Sequence, residues 1–181
     1  ELTLQQGWNL VSSFVDPVDT SLEAVFGPAL AHVVIVKDQT GVYWPAGNVN
    51  TLGEWSSSKS YKVFTDAVVT IELSGMAPLP ENTPISLGIG WNMVAYLRST
   101  PMPVEQLATS VAGSILLVKD DKGGVYYPGE GVNTIGLLQP GSGYMMYVNA
   151  ASTLTYPSNQ AASKTSSVRS NLAAAEAAPA E

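Results

Sequence analysis

Near its start the chain reads Gly7-Trp8-Asn9-Leu10-Val11, and from position 90 it reads Gly90-Trp91-Asn92-Met93-Val94. The two stretches stand 83 positions apart, and further motifs recur at that spacing or one position short of it. The recurring pairs are Gly41-Val42-Tyr43-Trp44-Pro45 with Gly124-Val125-Tyr126-Tyr127-Pro128, Val49-Asn50-Thr51-Leu52-Gly53 with Val132-Asn133-Thr134-Ile135-Gly136, and Val36-Lys37-Asp38 with Val118-Lys119-Asp120. Motifs that repeat in one order indicate a tandem duplication.

The duplication divides the 181 residues into two copies and two connecting segments. We predict a β module at 1–76, a proline-containing linker at 77–83, a second β module at 84–157 and a Ser/Ala-rich linker or tail at 158–181. A copy of about 75 residues would be marginally stable alone. We therefore expect the copies to pack against each other with pseudo-two-fold symmetry, in an orientation that the prolines of the linker help to fix.

Within each copy, the apolar pattern predicts short strands joined by tight turns. Leu2–Phe14 is apolar and interrupted by a glycine, and its counterpart is Ile85–Leu97. In both segments we expect the tryptophan to open the buried run of a strand. Nearly unbroken aliphatic residues at His32–Lys37 and Ser114–Lys119 predict strands that are covered on both faces.

One short helix is expected in each copy. Thr20 and Glu23 have the spacing of a capping box, and Pro103 is suited to the first position of a helix in the second copy. Over the whole chain Gly and Pro are frequent (16 and 12 residues), and only 13% of the residues are charged, which favours strands and turns. We therefore predict a mainly-β fold with a minor α+β contribution, built from two tandem homologous modules.

Composition excludes several classes of function. The chain has no Cys and a single His, His32, which rules out disulfides, Cys-ligated zinc and sites with several His ligands. A formal net charge of −7 disfavours binding to nucleic acid or to an anionic membrane surface. No apolar run approaches the length of a membrane span, so we expect no membrane insertion. The opening residues lead us to expect a mature or excised piece of a larger protein.

Adjacent aromatic residues are the candidate ligand-binding positions. Tyr43 and Trp44 share one predicted strand, and Tyr126 and Tyr127 share its counterpart. Neighbouring residues on a strand face opposite sides, so we expect one ring of each pair to be buried and the other to be available to a sugar or a partner protein. The alternative is that both rings only cover the core and the sheet.

Other recurring positions are interpreted as structural anchors of the repeat: Trp8, Asn9, Asp38, Asn50, Trp91, Asn92, Asp120 and Asn133. The asparagines are expected to hold loop backbone, and the aspartates to cap turns. Whether the Asp-Gly turns bind calcium stays open, although each supplies few oxygens. His32 has no counterpart in the second copy, and no catalytic motif accompanies it. We expect no catalytic residue, no metal and no cofactor.

The repeated pattern resembles a duplicated module of secreted and cell-surface multidomain proteins of Bacteroidetes and related phyla. The second copy carries the resemblance through Gly90-Trp91-Asn92, Val118-Lys119-Asp120, Asn133-Thr134-Ile135-Gly136 and Pro140-Gly141-Ser142-Gly143-Tyr144. The first copy departs from it at Ser58-Lys59-Ser60-Tyr61, which replaces the last of these motifs. The resemblance covers roughly 1–157 and implies an extracellular or cell-surface location, with no catalytic residues.

These observations lead to one expected function and two alternatives. The expected function is a non-catalytic extracellular structural or assembly module, with other domains of the parent chain or neighbouring surface-protein subunits as its partners. One alternative is an adhesin module that binds glycan or protein through the paired aromatic residues. The other is an accessory domain of a secreted hydrolase whose active site lies elsewhere in the parent protein.

Overall fold

The structure is a computed structural model that describes residues 1–111 and 113–160. Ala112 and residues 161–181 lie outside the described residues, and with them most of the predicted tail. Within the described ranges, no helix is long and apolar enough to cross a membrane.

Short strands are the main regular structure of both copies, which confirms the mainly-β prediction. In the first copy they are β1 (Leu2–Leu4), β2 (Gly7–Val11), β3 (Asp16–Pro17), β4 (Val33–Lys37), β5 (Val42–Trp44), β6 (Val49–Asn50), β7 (Tyr61–Thr65), β8 (Val69–Ile71) and β9 (Gly75–Met76). In the second copy they are β10 (Ile85–Leu87), β11 (Gly90–Ala95), β12 (Met102–Pro103), β13 (Ile115–Lys119), β14 (Val125–Tyr127), β15 (Val132–Asn133), β16 (Leu137–Leu138), β17 (Gly143–Val148) and β18 (Ser152–Leu154).

The main sheets of the two copies have the same topology. The first is an antiparallel five-stranded sheet in the order β2-β7-β4-β5-β6, and the second has the order β11-β17-β13-β14-β15. These orders correspond strand by strand under the spacing of the sequence repeat. The two-stranded sheets β1-β8 and β10-β18 correspond as well. The sheets β3-β9, in the first copy, and β12-β16, in the second, do not correspond, because they pair segments at different places in the repeat.

The helices differ between the copies, which corrects the expectation of one similar helix in each. The first copy contains α1 (Leu22–Phe26), which Ser21 caps by accepting a hydrogen bond from the Ala24 N–H, one position after the predicted cap at Thr20. At the equivalent place the second copy has only a 3-10 helix, Val104–Thr109. The remaining 3-10 helices are Gly27–His32, Pro45–Gly47, Pro80–Asn82 and Pro128–Glu130.

Each copy has its own hydrophobic core beneath one face of its main sheet. In the first copy Trp55 stacks on Tyr61, with ring centroids 4.2 Å apart, and meets Phe26 edge to face. In the second copy Tyr96 makes edge-to-face contacts with Tyr144 and with a further buried tyrosine, Tyr156. Burying these rings removes a large apolar area from water, which is the main source of stability in small β modules.

The prediction that β4 and β13 are covered on both faces is wrong. Their inward residues, Val36 and Val118, are fully buried, but Val34 and Leu116 are exposed. A register shift beside these residues interrupts the pairing of each strand with its central neighbour. Each main sheet therefore has one core face and one outer face that carries apolar side chains.

The two copies contact each other through reciprocal backbone bridges. Val11 bridges Ser142, and Val94 bridges Lys59. Under the 83-residue spacing, Val11 corresponds to Val94 and Lys59 to Ser142, so the same two positions meet twice with the copies exchanged. Reciprocal contact of this kind is what an approximate two-fold relationship between the copies requires.

Hydrogen bonds from side chains across this boundary also link corresponding positions with the copies exchanged. The Met93 N–H donates to Gln39 Oε1 at 2.8 Å, and the Leu10 N–H donates to Asp121 Oδ2 at 3.4 Å. Gln39 and Asp121 lie at the corresponding turn of each copy, and Leu10 corresponds to Met93. Buried Ser12 strengthens the boundary from one side, because its hydroxyl donates to the Ser142 carbonyl at 2.7 Å.

Candidate functional site

The Gly-Trp-Asn motif forms a turn that its own asparagine holds in place. Gly7 has a φ of +99° and Gly90 a φ of +95°, a region that glycine adopts without strain. In the first copy Asn9 accepts from the Gln5 N–H and donates to the Gln5 carbonyl, each at 2.8 Å. Asn92 makes the equivalent pair with Gly88 at 2.9 and 2.8 Å. Both amides are buried, and their hydrogen bonds are used within the fold.

The recurring aspartates also bind the backbone of their own turns. Asp38 Oδ1 accepts from the N–H groups of Thr40 and Gly41. Asp120 Oδ1 accepts from the N–H groups of Lys122 and Gly124. Partial burial opposes ionisation of Asp38, but the hydrogen bonds from Thr40 and Gly41, with a weaker contribution from Lys59, hold its pKa below the usual value.

These turns offer little to a metal ion. One oxygen of each carboxylate, Oδ1 of Asp38 and of Asp120, is used by backbone N–H groups of the turn. No group of three or more acidic or His side chains that could hold a metal occurs in the described part of the chain. A tight calcium site needs about six to eight oxygen ligands.

Asn50 and Asn133 pin the turn that follows β6 and β15. The side-chain oxygen of Asn50 accepts from the Gly53 N–H at 2.9 Å, and that of Asn133 accepts from the Gly136 N–H at 2.8 Å. Asn133 additionally donates to a carboxylate oxygen of Glu105. These residues therefore hold loop backbone, like the other recurring asparagines.

The paired aromatic residues divide between core and surface, as strand alternation predicts. Tyr43 and Tyr126 are buried, whereas Trp44 and Tyr127 remain 46% and 39% exposed. The Tyr43 hydroxyl donates to a Glu23 carboxylate oxygen at 2.9 Å. Burial, followed by this hydrogen bond and the negative charge of Glu23, raises the pKa of Tyr43 to about 12. The Tyr43 hydroxyl is therefore engaged by a carboxylate of its own copy.

A row of apolar side chains crosses the outer face of the first main sheet. Trp8 on β2 lies opposite Phe64 on β7, which lies opposite Ile35 on β4. The Trp8 and Phe64 rings meet edge to face, with centroids 5.2 Å apart. Lys37 Nζ lies 4.7 Å from the centroid of the Trp8 ring, which is a cation–π contact.

The second main sheet carries the equivalent row. Trp91 lies opposite Tyr147, and Tyr147 lies opposite Leu117. The two aromatic rings again meet edge to face at 5.2 Å, and Lys119 Nζ lies 5.5 Å from the centroid of the Trp91 ring. Trp8 and Trp91 are 51% and 41% exposed, so the expectation that they open a buried run is wrong.

A groove of about 360 Å³ lies between the two copies beside these rows. The first copy contributes Trp8, Lys37 and Lys62 to its lining, and the second contributes Asp120, Asp121 and Met145. A second hollow of about 320 Å³ is lined by Trp91, Lys119 and again Met145. Because Met145 borders both, the two hollows adjoin on one surface of the molecule.

His32 does not form part of a catalytic arrangement. Its Nδ1 lies 2.8 Å from Asp66 Oδ1, and at least half of each side chain is exposed to solvent. An exposed pair of this kind, away from the groove lining, contributes little to stability. The other ion pair in the described residues joins Lys59 to Asp38.

No protein-family model, curated protein or solved structure matches this chain.

The residues around the groove were only partly identified from sequence. Trp8, Trp91 and Asp120 were recognised as recurring positions, but as anchors of the repeat. Asn9 is likewise an anchor of the repeat, and Asp121 lies in a turn considered for calcium. The sequence does not single out the other lining residues: Leu10, Lys37, Lys62, Lys119 and Met145. The available signal was the alternation of β2, since a buried Asn9 places its neighbour Trp8 on the opposite face.

Proposed function

We propose that this chain is a non-catalytic structural and assembly module of a bacterial cell-surface or secreted multidomain protein. The observation that carries the proposal is the use of the recurring polar side chains. These side chains form hydrogen bonds with the backbone of their own copy: Asn9, Asp38, Asn50, Asn92 and Asp120. Residues used in this way stiffen loops, which is a structural role.

The reciprocal boundary between the copies supports the same role. Backbone bridges at Val11 and Val94, together with the hydrogen bonds of Ser12, Gln39 and Asp121, fix one copy against the other. A block with two locked copies keeps a constant distance between the domains on either side of it. Its partners are then other domains of the parent chain or neighbouring surface proteins, as the resemblance of the repeated motifs suggests.

Chemical crosslinking of intact cells tests this proposal. Lys122 is exposed in the turn between β13 and β14, so an amine-reactive crosslinker that does not enter cells will modify it if the module faces the outside. We expect crosslinks from Lys122 to other segments of the parent chain or to other surface proteins, identified by mass spectrometry. Modification of Lys122 only after cell lysis contradicts the surface location. Substrate turnover by the isolated chain that is lost in His32→Ala contradicts the non-catalytic role.

A second candidate, a binding module, is favoured by the apolar rows on the outer faces of the sheets. Trp8, Trp44, Trp91 and Tyr127 are large aromatic side chains that remain about half exposed. Exposed rings that recur at equivalent places on one surface are typical of contact sites for sugars or proteins. This role is compatible with a structural one, since a rigid module also presents its surface in a fixed orientation.

A further inference from the structure

We propose that the outer face of each main sheet binds an uncharged polysaccharide, a linear chain of neutral sugars that lies along the apolar row. This inference names a ligand class for the second candidate function and rests on it. The structural and assembly role does not depend on it.

Each apolar row extends across all five strands of its sheet. Trp44 alternates with buried Tyr43 on β5 and therefore faces outward, and its partner on β6 is Val49. The outer face of an antiparallel sheet is usually polar, so an apolar row that recurs in both copies indicates a contact surface. The first row comprises Trp8, Phe64, Ile35, Trp44 and Val49, and the second comprises Trp91, Tyr147, Leu117, Tyr127 and Val132.

Two aromatic rings in each row remain well exposed, one on the first strand of the sheet and one on the fourth. They are Trp8 and Trp44 in the first row, and Trp91 and Tyr127 in the second. Three strand spacings separate the two rings of a row, a distance of about 14 Å. A ligand that contacts both rings must therefore be an elongated chain of several units.

The rings on the fourth strands are supported by the turn that follows them. A Cβ atom on Gly47 would lie 2.2 Å from the Trp44 ring, so this ring packs directly against the glycine. A Cβ atom on Gly129 would lie 3.4 Å from the Tyr127 ring. The cation–π contacts of the described residues involve the other two exposed rings, Trp8 and Trp91. A ring held in one orientation stacks on the apolar face of a sugar with little loss of side-chain entropy.

The charge beside the rows is balanced. In the groove next to the first row, Lys37 and Lys62 are matched by Asp120 and Asp121. Next to the second row, the ammonium group of Lys119 lies over the Trp91 ring. The ten side chains of the rows themselves are uncharged. A surface without an excess of either sign favours an uncharged ligand, since charge complementarity is what selects an ionic one.

The lysines at one end of each row favour a sugar over an apolar protein surface. Lys37 Nζ and Lys119 Nζ lie 4.7 and 5.5 Å from the centroids of the Trp8 and Trp91 rings. An apolar partner placed on the row would remove these ammonium groups from water without supplying an acceptor, which is costly. Sugar hydroxyl groups accept hydrogen bonds from an ammonium group, while the apolar face of the same sugar covers the aromatic ring.

Titration calorimetry on the full chain tests this inference. The probes are neutral hexasaccharides of β-linked glucose, mannose and xylose, with the matching disaccharides and a galacturonate oligomer of equal length for comparison. We expect at least one neutral hexasaccharide to bind about tenfold or more tightly than its disaccharide, because only the longer chain reaches both rings of a row. Its affinity should change by less than about twofold when salt is raised, since no charge is neutralised on binding.

Variants of the aromatic rings locate the site. The double variant Trp44→Ala, Tyr127→Ala removes one exposed ring from each row and should weaken binding about tenfold or more. The double variant Leu79→Ala, Leu137→Ala is the matched control, because both side chains are large, apolar and exposed but lie outside the rows, and affinity should stay within about twofold. Trp44→Tyr keeps an aromatic ring and should retain most of the binding, which distinguishes a lost contact from a misfolded chain.

Four results would overturn the inference. Binding of none of the neutral hexasaccharides excludes the proposed ligand class. Preferential binding of the galacturonate oligomer contradicts an uncharged ligand. Equal affinity for disaccharide and hexasaccharide shows that the ligand does not extend along the row. A loss in the leucine variant as large as that in the aromatic variant places the ligand elsewhere. Crosslinking at Lys122 on intact cells is unaffected by any of these outcomes, so the two proposals fail separately.

Discussion

At the scale of single residues, the repeat is maintained by side chains that bind backbone. Asn9 and Asn92 each close a turn whose glycine has a positive φ, and their amides are buried. Removing a buried side-chain amide lowers stability, because the backbone groups that it bound remain buried and cannot bind water instead. The recurrence of asparagine at these two positions therefore follows from turn geometry.

Asn92→Ala should lower the free energy of unfolding by about 2 kcal/mol, because it leaves the Gly88 N–H and the carbonyls of Gly88 and Gly90 without their partner. Urea denaturation followed by tryptophan fluorescence measures the change. Asn82→Ala is the control, since Asn82 is exposed, and we expect a change within about 0.5 kcal/mol. Equal effects of the two variants would show that the turn does not depend on the buried amide.

The recurring polar residues were predictable from sequence, whereas the apolar run after Trp8 concealed the alternation that places Trp8 on the outer face. Asn9, Leu10 and Val11 are all buried, and this run suggested that Trp8 begins it. By alternation, however, Leu10 lies on the outer face together with Trp8. Leu10 is buried because the second copy covers it: its side chain lies against Gly143 of β17. A boundary between copies that are distant in sequence leaves no local signal.

At the scale of elements, close approach of β17 to the first copy requires a glycine. A Cβ atom on Gly143 would lie 2.0 Å from the Ser60 hydroxyl oxygen and 3.1 Å from the Val11 carbonyl oxygen. Gly143 corresponds to Ser60 under the 83-residue spacing, so the position meets its own counterpart at the boundary. Only one of the two residues can carry a side chain there, which explains why the copies differ at this position.

Gly143→Ala should destabilise the protein by about 1–3 kcal/mol, the usual cost of inserting a methyl group into a packed boundary. The second change Ser60→Gly removes the hydroxyl that the new methyl group meets, so the double variant should recover part of the loss. A double-mutant cycle of unfolding free energies measures the coupling between the two positions. Additive effects, with no recovery, would mean that the two residues do not meet in solution.

The elements also show which features of the fold a local pattern can predict. The repeat located the strands of the main sheets, because β-branched and aromatic residues recur between turn glycines. Exposure of Val34 and Leu116 was not predicted, since an aliphatic run reads as buried on both faces whether or not a second layer covers it. The helix predicted in the second copy is a 3-10 helix, Val104–Thr109, which lacks the side-chain cap that Ser21 supplies to α1.

At the scale of the whole molecule, two separate cores are joined by a largely polar boundary. The core of the first copy centres on Trp55 and Tyr61, and that of the second on Tyr96 and Tyr144. Between them lie buried serines, Ser12 and Ser60, and paired backbone. A copy of about 75 residues buries too little surface to be independently stable by a wide margin, so each relies on the other.

We predict that the two copies unfold together. Scanning calorimetry should give a single transition, with equal calorimetric and van't Hoff enthalpies, because loss of one copy exposes the boundary of the other. Two resolved transitions would show that each core is sufficient alone. Gly143→Ala provides the informative comparison, since a weakened boundary should broaden or split the transition, whereas Asn82→Ala should only reproduce the parent curve.

The boundary between the copies can stay closed even if the intrinsic affinity of its two halves is weak. Positions that meet twice with the copies exchanged form the kind of self-complementary patch by which two separate molecules make a symmetric dimer. Here the two patches are tethered by the short segment 77–83, so each encounters the other at an effective concentration on the order of millimolar or above. Two separate molecules held by this contact would dissociate on ordinary dilution. Within one chain the contact stays formed at any protein concentration.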